Sequence, residues 1–167
     1  MREYTGKLSS DGLKIAIITS RFNEFVTEKL FSGALDTLEQ YGFLKEQIIS
    51  IFVPGALEIP VATKLLIDNN SIDAAICLGA VIKGDTAHFD IVANQSASCI
   101  AQLALSSKIP IINGILTTNS VEEAIERAGS KAGNKGREAA VTAIEMANLS
   151  IFIKKEANDC NKNNVFV

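Results

Sequence analysis

Residues 74–80 read AAICLGA, an apolar run without a charged side chain. Three comparable runs occur along the chain, LKIAIIT at 13–19, IISIFV at 48–53 and IINGIL at 111–116. Strands of a parallel sheet are covered by helices on both faces, so they read as nearly continuous apolar runs. The four runs therefore predict four parallel strands.

Helical patterns separate these runs. Asn23 predicts an N-cap for the first helix and Gly42 its end, while Ser120 and Glu123 form an S-x-x-E capping-box pattern. Strands that alternate with helices through right-handed crossovers predict a three-layer, doubly wound α/β fold with the flavodoxin-like strand order 2-1-3-4. The predicted helices span residues 23–41, 58–69 with Pro60 in the first turn, 90–107, 120–128 and 134–155.

Length and composition restrict the class of protein. The 167 residues suit a single domain, expected over residues 1–155, with a mobile Asn- and Lys-rich tail at 156–167. A net charge of −3, from 16 basic and 19 acidic side chains, argues against nucleic-acid binding. Without a signal-peptide pattern or a run of about 18 apolar residues, we expect a soluble protein of the cytoplasm. The three cysteines, Cys77, Cys99 and Cys160, do not have the spacing of a metal site or a redox motif. Such scattered cysteines are typical of reduced thiols in a cytoplasmic protein.

Ligands of doubly wound folds bind at the carboxyl ends of the strands, which directs attention to the residues after each run. After the first, Arg21 and Phe22 place a guanidinium and an aromatic ring at the expected pocket, although Phe22 could instead staple the next helix. After the second, Gly55 and Ala56 permit close approach of a ligand to the backbone. Glu58 could complement the helix dipole or accept hydrogen bonds from a polyhydroxylated ligand.

The third run leads into the densest candidate site, GAVIKGDTAHFD at 79–90. This segment resembles a nucleotide P-loop, but Asp85 stands where that motif has lysine and would repel a phosphate, so ATP is excluded. Residues 84–86 instead precede a helix, whose free N–H groups could bind one phosphate group. His88, the single histidine, is interpreted as a proton shuttle rather than a surface or packing residue.

Two cations lie further along the chain. Arg127 falls at the end of a short predicted helix, where it could complement the dipole or form a bidentate contact with phosphate. The segment 128–136, which includes Lys135, reads by itself as a turn with solvated charges. Neither cation alone identifies a site.

Together, five segments resemble the 6,7-dimethyl-8-ribityllumazine synthase family over about residues 4–151. The resemblance implies condensation of 5-amino-6-(D-ribitylamino)uracil with 3,4-dihydroxy-2-butanone 4-phosphate, which gives the lumazine, phosphate and water in riboflavin biosynthesis. It implies no metal and no organic cofactor. The segments are RFN at 21–23, VPGALEIP at 53–60, GAVIKGDTAHFDIV at 79–92, NGILTTNSVEEAIERAG at 113–129 and AGNKGREAAVTAIEM at 132–146.

The resemblance also implies residue roles. Phe22 stacks on the pyrimidine ring, His88 moves protons and Arg127 anchors the phosphate. The implied phosphate-binding residues are Gly84, Asp85, Thr86 and Arg127. The implied substrate-binding residues are Phe22, Asn23, Gly55, Ala56, Leu57, Glu58, Ala80, Val81, Ile82, Lys83, Asn113 and Lys135.

One residue departs from the family pattern, because Asn113 stands where many members have phenylalanine and an aromatic wall is therefore lost. The resemblance further implies active sites shared between subunits of a homopentamer, with Tyr4–Lys7 adding a strand to a neighbour's sheet. The short turn at 129–136 resembles members whose pentamers pack into sixty-subunit shells, for which riboflavin synthase is a candidate partner.

Two other classes of protein remain open from the residues. A flavodoxin-like binding module has the same predicted fold, but the segment after its first strand, TSRFNEF, lacks the expected glycine, and it lacks the acidic cluster of a receiver domain. A shell-forming protein without activity is disfavoured because His88, Arg127, Glu58 and Lys135 are all present.

Overall fold

The computed structural model describes residue 1, residues 3–131 and residues 133–163. Four strands alternate with five α-helices, and a short 3₁₀ turn at Lys45–Gln47 precedes the second strand. The strands are β1 (Ile15–Ser20), β2 (Ile48–Val53), β3 (Ala74–Ile82) and β4 (Ile111–Thr118). The helices are α1 (Glu24–Gln40), α2 (Glu58–Asn69), α3 (His88–Ser106), α4 (Val121–Arg127) and α5 (Lys135–Asn163).

The strands form one parallel sheet in the order β2-β1-β3-β4, which confirms the predicted three-layer fold and strand order. In the middle of the sheet Ile18 is level with Ile51 on β2 and with Cys77 on β3. Parallel strands leave the sheet at one edge, so the segments that follow β1, β2 and β3 are brought together.

The core consists of two layers, one on each face of the sheet. Ile15 and Ile17 pack into the layer formed with α1 and α5, whereas Ala16 and Ile18 pack into the layer that contains Ile59 of α2 and Ile100 of α3. Successive side chains of a strand point to opposite faces, so the apolar residues Ile15–Ile18 of β1 supply both layers. This unbroken apolar run follows from the place of β1 inside the sheet.

Both inner strands are buried along their length except at Ile82, the half-buried last residue of β3. Burial raises the pKa of the Cys77 thiol on β3 to about 11, although its hydrogen bond with Thr63 acts in the opposite direction. Cys77 is a free, buried cysteine and Cys99 a free, exposed one. The side chain of Cys160 lies outside the described residues.

Strand ends differ from the prediction in one consistent way. β3 continues to Ile82 and β4 to Thr118, each two residues past the predicted strand ends at 80 and 116. The extra residues are paired, with Val81 level with Thr117 and Ile82 level with Thr118. Two neighbouring strands that extend together satisfy each other's backbone groups.

Helix ends differ more. Asn23 occupies the N-cap position of α1 as predicted, but its backbone is left-handed, with φ 60°, and its side chain makes no capping hydrogen bond. The capping box of α4 is half formed. Ser120 Oγ accepts from Glu123 N at 3.1 Å, but Glu123 Oε2 accepts from Asn119 N at 2.9 Å instead of from Ser120 N. Gly42, with φ 87°, follows α1 as predicted.

Both chain ends lie near α5. The helix continues to Asn163, eight residues past its predicted end at 155, and residues 164–167 lie outside the described part. The mobile tail expected at 156–167 stays a prediction. At the other end, Asn148 Nδ2 donates to Lys7 O and Ser9 O, both at 2.9 Å, and the Tyr4 ring lies 5.3 Å from that of Phe152. The prediction that Tyr4–Lys7 adds a strand to a neighbour stays a prediction. No described helix is long and apolar enough to cross a membrane.

Candidate active site

The segments after β1, β2 and β3 enclose a cleft of about 400 Å³, the main cleft. It lies at the carboxyl edge of the sheet, where ligands bind in doubly wound folds. Its walls combine apolar and aromatic side chains with a carboxylate, a hydroxyl and an imidazole. The lining residues are Phe22, Gly55, Ala56, Leu57, Glu58, Ala80, Val81, Ile82, Gly84, Thr86, His88, Phe89 and Val92.

Phe22 is presented by backbone pairing that continues past the ends of β1 and β2. Arg21 N donates to Val53 O at 2.8 Å and Phe22 N donates to Pro54 O at 3.1 Å. The left-handed turn at Asn23 then leads into α1, and Asn23 Nδ2 donates to Ala80 O at 2.9 Å. The Phe22 ring is 70% exposed, so it lines the cleft rather than stapling the helix.

Glu58 is the first residue of α2 and borders the cleft, so it complements the helix dipole and faces the ligand space at once. A side chain on Gly55 would come within 2.8 Å of Glu58 Oε2, so the carboxylate folds back over the glycine. Gly55 thus admits both the carboxylate and a close ligand.

The third wall is the junction between β3 and α3. Lys83 N donates to Thr118 O at 2.9 Å, so strand-like pairing continues to Lys83 before the chain turns. His88 is the first residue of α3, is exposed and borders the cleft. The helix therefore begins two residues earlier than the predicted start at residue 90. Ala87 at the N-cap position makes no side-chain cap, so first-turn N–H groups of α3 are available to an anion near Gly84 and Thr86.

Phe89 and Val92 were not among the predicted site residues. Both lie on α3, and Val92 is four positions after His88 and three after Phe89, a spacing that places it on the same side of the helix as each of them. The available signal was this spacing. It was missed because the predicted helix began at Asp90, which left Phe89 in a loop.

Three predicted residues lie elsewhere, in a second cleft of about 480 Å³ that we call the edge cleft. It runs along β4, which pairs with β3 alone among the described strands, and reaches the end of α4 and the start of α5. Its charged and polar wall contains Asn113, Arg127, Lys135, Glu138 and Thr142. No residue lines both clefts.

The edge-cleft side chains are held by local contacts. Asn113 Oδ1 accepts from Ile115 N at 3.0 Å, so its Nδ2 group is the end directed away from the backbone. Arg127 Nη1 donates to Glu123 O at 3.3 Å, and Lys135 Nζ forms an ion pair with Glu138 at 2.5 Å. Each cation retains further N–H donors.

The remaining predicted residues border neither cleft: Asn23, Lys83 and Asp85. The Asn23 amide is bound to Ala80 O and so supports the wall from behind. Lys83 and Asp85 are exposed. Among the described residues, no cluster of three or more His, Cys, Asp or Glu side chains could hold a metal ion.

The fold and the cleft define a class, the flavodoxin-like α/β proteins with a ligand site at the carboxyl edge of the sheet. Within that class, the family model for 6,7-dimethyl-8-ribityllumazine synthase matches residues 12–150. The chain belongs to this family. It is therefore a condensing transferase of riboflavin biosynthesis, and the activity expected from the resemblance is confirmed.

Proposed function

We propose that the main cleft of one copy of the chain and the edge cleft of a neighbouring copy together form one lumazine synthase active site. The observation that supports this proposal most directly is the separation of the predicted site residues into two clefts that share no residue. One reaction needs a ring pocket, a proton carrier and phosphate-binding cations in one place. A head-to-tail contact between copies would supply them.

In this site the main cleft binds the pyrimidine. Phe22 offers an exposed aromatic face, and Ala80, Val81 and Ile82 form an apolar floor for the ring. The Glu58 carboxylate accepts hydrogen bonds from the ribityl hydroxyls, and Lys135 of the neighbouring copy reaches the far end of the ribityl group.

The phosphate-bearing substrate lies near the start of α3. Gly84 and Thr86 border the cleft beside the uncapped first turn, where N–H groups favour an anion. Arg127 of the neighbouring copy completes the phosphate site, since a guanidinium binds phosphate through two N–H groups. Asp85 borders neither cleft, and its expected contact with the phosphate stays a prediction.

The chemistry consists of several proton transfers between positioned groups. The pyrimidine amine attacks the ketone carbonyl and water leaves to give an imine. A proton then leaves the neighbouring carbon as the carbon–oxygen bond to phosphate breaks, and the resulting enol takes up a proton to become a methyl ketone. The ribitylamino nitrogen attacks this ketone, and the ring closes with loss of water. His88, the first residue of α3, carries protons in these steps. Positioning of the two substrates provides much of the rate.

The composite site is tested by mixing two inactive variants. Phe22→Ala/Glu58→Ala damages the main cleft and Arg127→Ala/Lys135→Ala damages the edge cleft. Oligomers assembled from equal amounts of both contain intact pairs of clefts at about one site in four, so lumazine absorbance should reappear. Mixing two different main-cleft variants is the control and should restore nothing. Failure of the first mixture, in assemblies shown to contain both variants, would refute a shared site.

We also propose that the chain is a cytoplasmic homopentamer whose Tyr4–Lys7 segment adds to a neighbour's sheet. The short turn between α4 and α5 supports further packing of pentamers into sixty-subunit shells, with riboflavin synthase as a candidate enclosed partner. Sedimentation velocity separates a pentamer from a shell by mass. A single species of pentamer mass at all concentrations would rule out the shell.

A further inference from the structure

Asn134 uses every hydrogen-bonding position of its side chain. Nδ2 donates to Lys29 O and to Ala128 O, both at 2.9 Å. Oδ1 accepts from Gly136 N at 2.8 Å and from Arg137 N at 3.2 Å. An amide offers two donors and two acceptor lone pairs, so this side chain is saturated by backbone groups alone.

These four bonds join three separate elements. The acceptor bonds cap the first turn of α5, because Gly136 and Arg137 are its second and third residues. The donor bonds reach Lys29 in α1 and Ala128, the C-cap residue that directly follows α4. Ala128 and Asn134 are also paired through their backbones in an isolated antiparallel bridge.

The surroundings leave room for this amide. A side chain on Gly33 of α1 would come within 2.5 Å of the Asn134 amide atoms. Gly129 has φ +120°, which L residues rarely adopt, and a side chain there would approach Asn134 Nδ2 to 3.2 Å. Glycine at both positions therefore lets the amide reach two elements at once.

Asn134 lies close in sequence to both cations of the edge cleft. Arg127 directly precedes Ala128, whose carbonyl Asn134 binds, and Lys135 directly follows Asn134. Asn134 thus fixes the backbone beside both cations of the cleft, while its own side chain does not border the cleft. Within the described part of the chain, the side chain of each cation makes one hydrogen bond, Arg127 to Glu123 O and Lys135 to the Glu138 carboxylate.

We propose that Asn134 is a positioning residue for the reaction. It holds the end of α4 and the start of α5 at the separation at which Arg127 and Lys135 bind one substrate pair. The inference rests on the proposed roles of those two cations. Its physical basis is that catalysis and binding by paired groups are sensitive to displacements of about 1 Å.

The test uses Asn134→Ser. Serine caps a helix about as well as asparagine, so the cap of α5 is kept. Its side chain is too short to reach Lys29 O and Ala128 O, so these two hydrogen bonds are lost. The matched control is Asn148→Ser, also on α5. Asn148 Nδ2 donates to Lys7 O and Ser9 O at 2.9 Å and to Ile144 O at 3.0 Å, and Asn148 borders neither the main cleft nor the edge cleft.

We expect both variants to lower the melting temperature, but only Asn134→Ser to raise the KM of the phosphate-bearing substrate, by about tenfold, with kcat changed much less. On an Arg127→Ala background the same substitution should add less than about twofold, because the group it positions is gone. Asn134→Thr provides the same comparison if the serine variant is not recovered folded.

An unchanged KM in Asn134→Ser, with a loss of melting temperature equal to that of Asn148→Ser, would overturn the inference. So would a full additional rise in KM on the Arg127→Ala background. If Arg127→Ala alone leaves this KM unchanged, the proposed phosphate site fails and the inference fails with it. A raised KM in Arg127→Ala with an unchanged KM in Asn134→Ser would overturn the inference alone.

Discussion

His88 shows what one residue contributes to this site. It is exposed at the first position of α3 and borders the main cleft beside Phe89 and Val92. No described residue holds its ring through a side-chain hydrogen bond, so the imidazole is free to exchange protons with substrate and water. In the proposed site, other residues position the substrates, so their positioning does not depend on His88.

We therefore expect His88→Ala to lower kcat by roughly tenfold to a hundredfold without abolishing turnover. Steady-state kinetics with both substrates measures this effect. Asp90→Asn is the control, since Asp90 lies in the same helical turn but does not border the cleft, and its kcat should stay within about twofold. A wild-type kcat in His88→Ala would contradict a role in proton transfer.

At the scale of elements, the sequence predicted the strands, which depend on buried apolar runs. It did not predict the strand ends and the side-chain bond of Asn23, which depend on hydrogen bonds to distant residues. Strand β2 was predicted residue for residue, because it ends at Pro54-Gly55. The ends of β3 and β4 were missed, since their extension depends on pairing between strands that are distant in sequence. Asn23 has the type of an N-cap, but its amide is bound to Ala80 O, 57 residues away.

The candidate site followed the same division. The residues of the main cleft were found because they follow predicted strands, apart from Phe89 and Val92, which a misplaced helix start concealed. Arg127 and Lys135 gave little signal from the residues alone and were identified through the family resemblance. The residues themselves carry no signal of the separation of these cations from His88, because it depends on the geometry of the edge strand β4. The family resemblance implied it, through active sites shared between subunits.

The end of strand β1 allows a test of stability. Thr19 is 2% exposed, and within the described part of the chain its Oγ1 atom has no hydrogen-bond partner. Burying an unpaired hydroxyl costs free energy, and valine has the same shape without that group. We expect Thr19→Val to raise the free energy of unfolding by about 1 kcal/mol, measured by urea denaturation at fixed protein concentration.

The control for this substitution is Thr37→Val. Thr37 is also 2% exposed, but its Oγ1 donates to Gly33 O at 2.7 Å. Here the same change removes a satisfied hydrogen bond, so stability should fall by about 1 kcal/mol. Equal effects of the two substitutions would show that the unpaired hydroxyl of Thr19 is not the determining factor.

At the scale of the whole molecule, the surface between α2 and α3 bears on assembly. A shallow groove there is lined by Pro60, Val61, Lys64, Leu65, Cys99, Gln102, Leu103 and Ser106. Val61 and Leu65 are four residues apart on α2, on one face of the helix, and are 61% and 60% exposed. Apolar side chains exposed side by side are typical of a surface that a partner covers, and in a homo-oligomer that partner is a second copy.

We expect Val61→Glu/Leu65→Glu to dissociate the oligomer and to lower activity by at least about a hundredfold, because each separated copy then holds only one half of a composite site. The fold should persist, since both side chains are already exposed in the single chain. Sedimentation velocity, circular dichroism and lumazine absorbance measure the mass of the assembly, the fold and the activity on one sample.

The control is Leu44→Glu, because Leu44 is 59% exposed beside the 3₁₀ turn and lies outside this groove. This substitution should leave both mass and activity unchanged. A dissociated variant that keeps wild-type activity would contradict the shared site, since its main cleft would then be sufficient without the Arg127 and Lys135 of a neighbour.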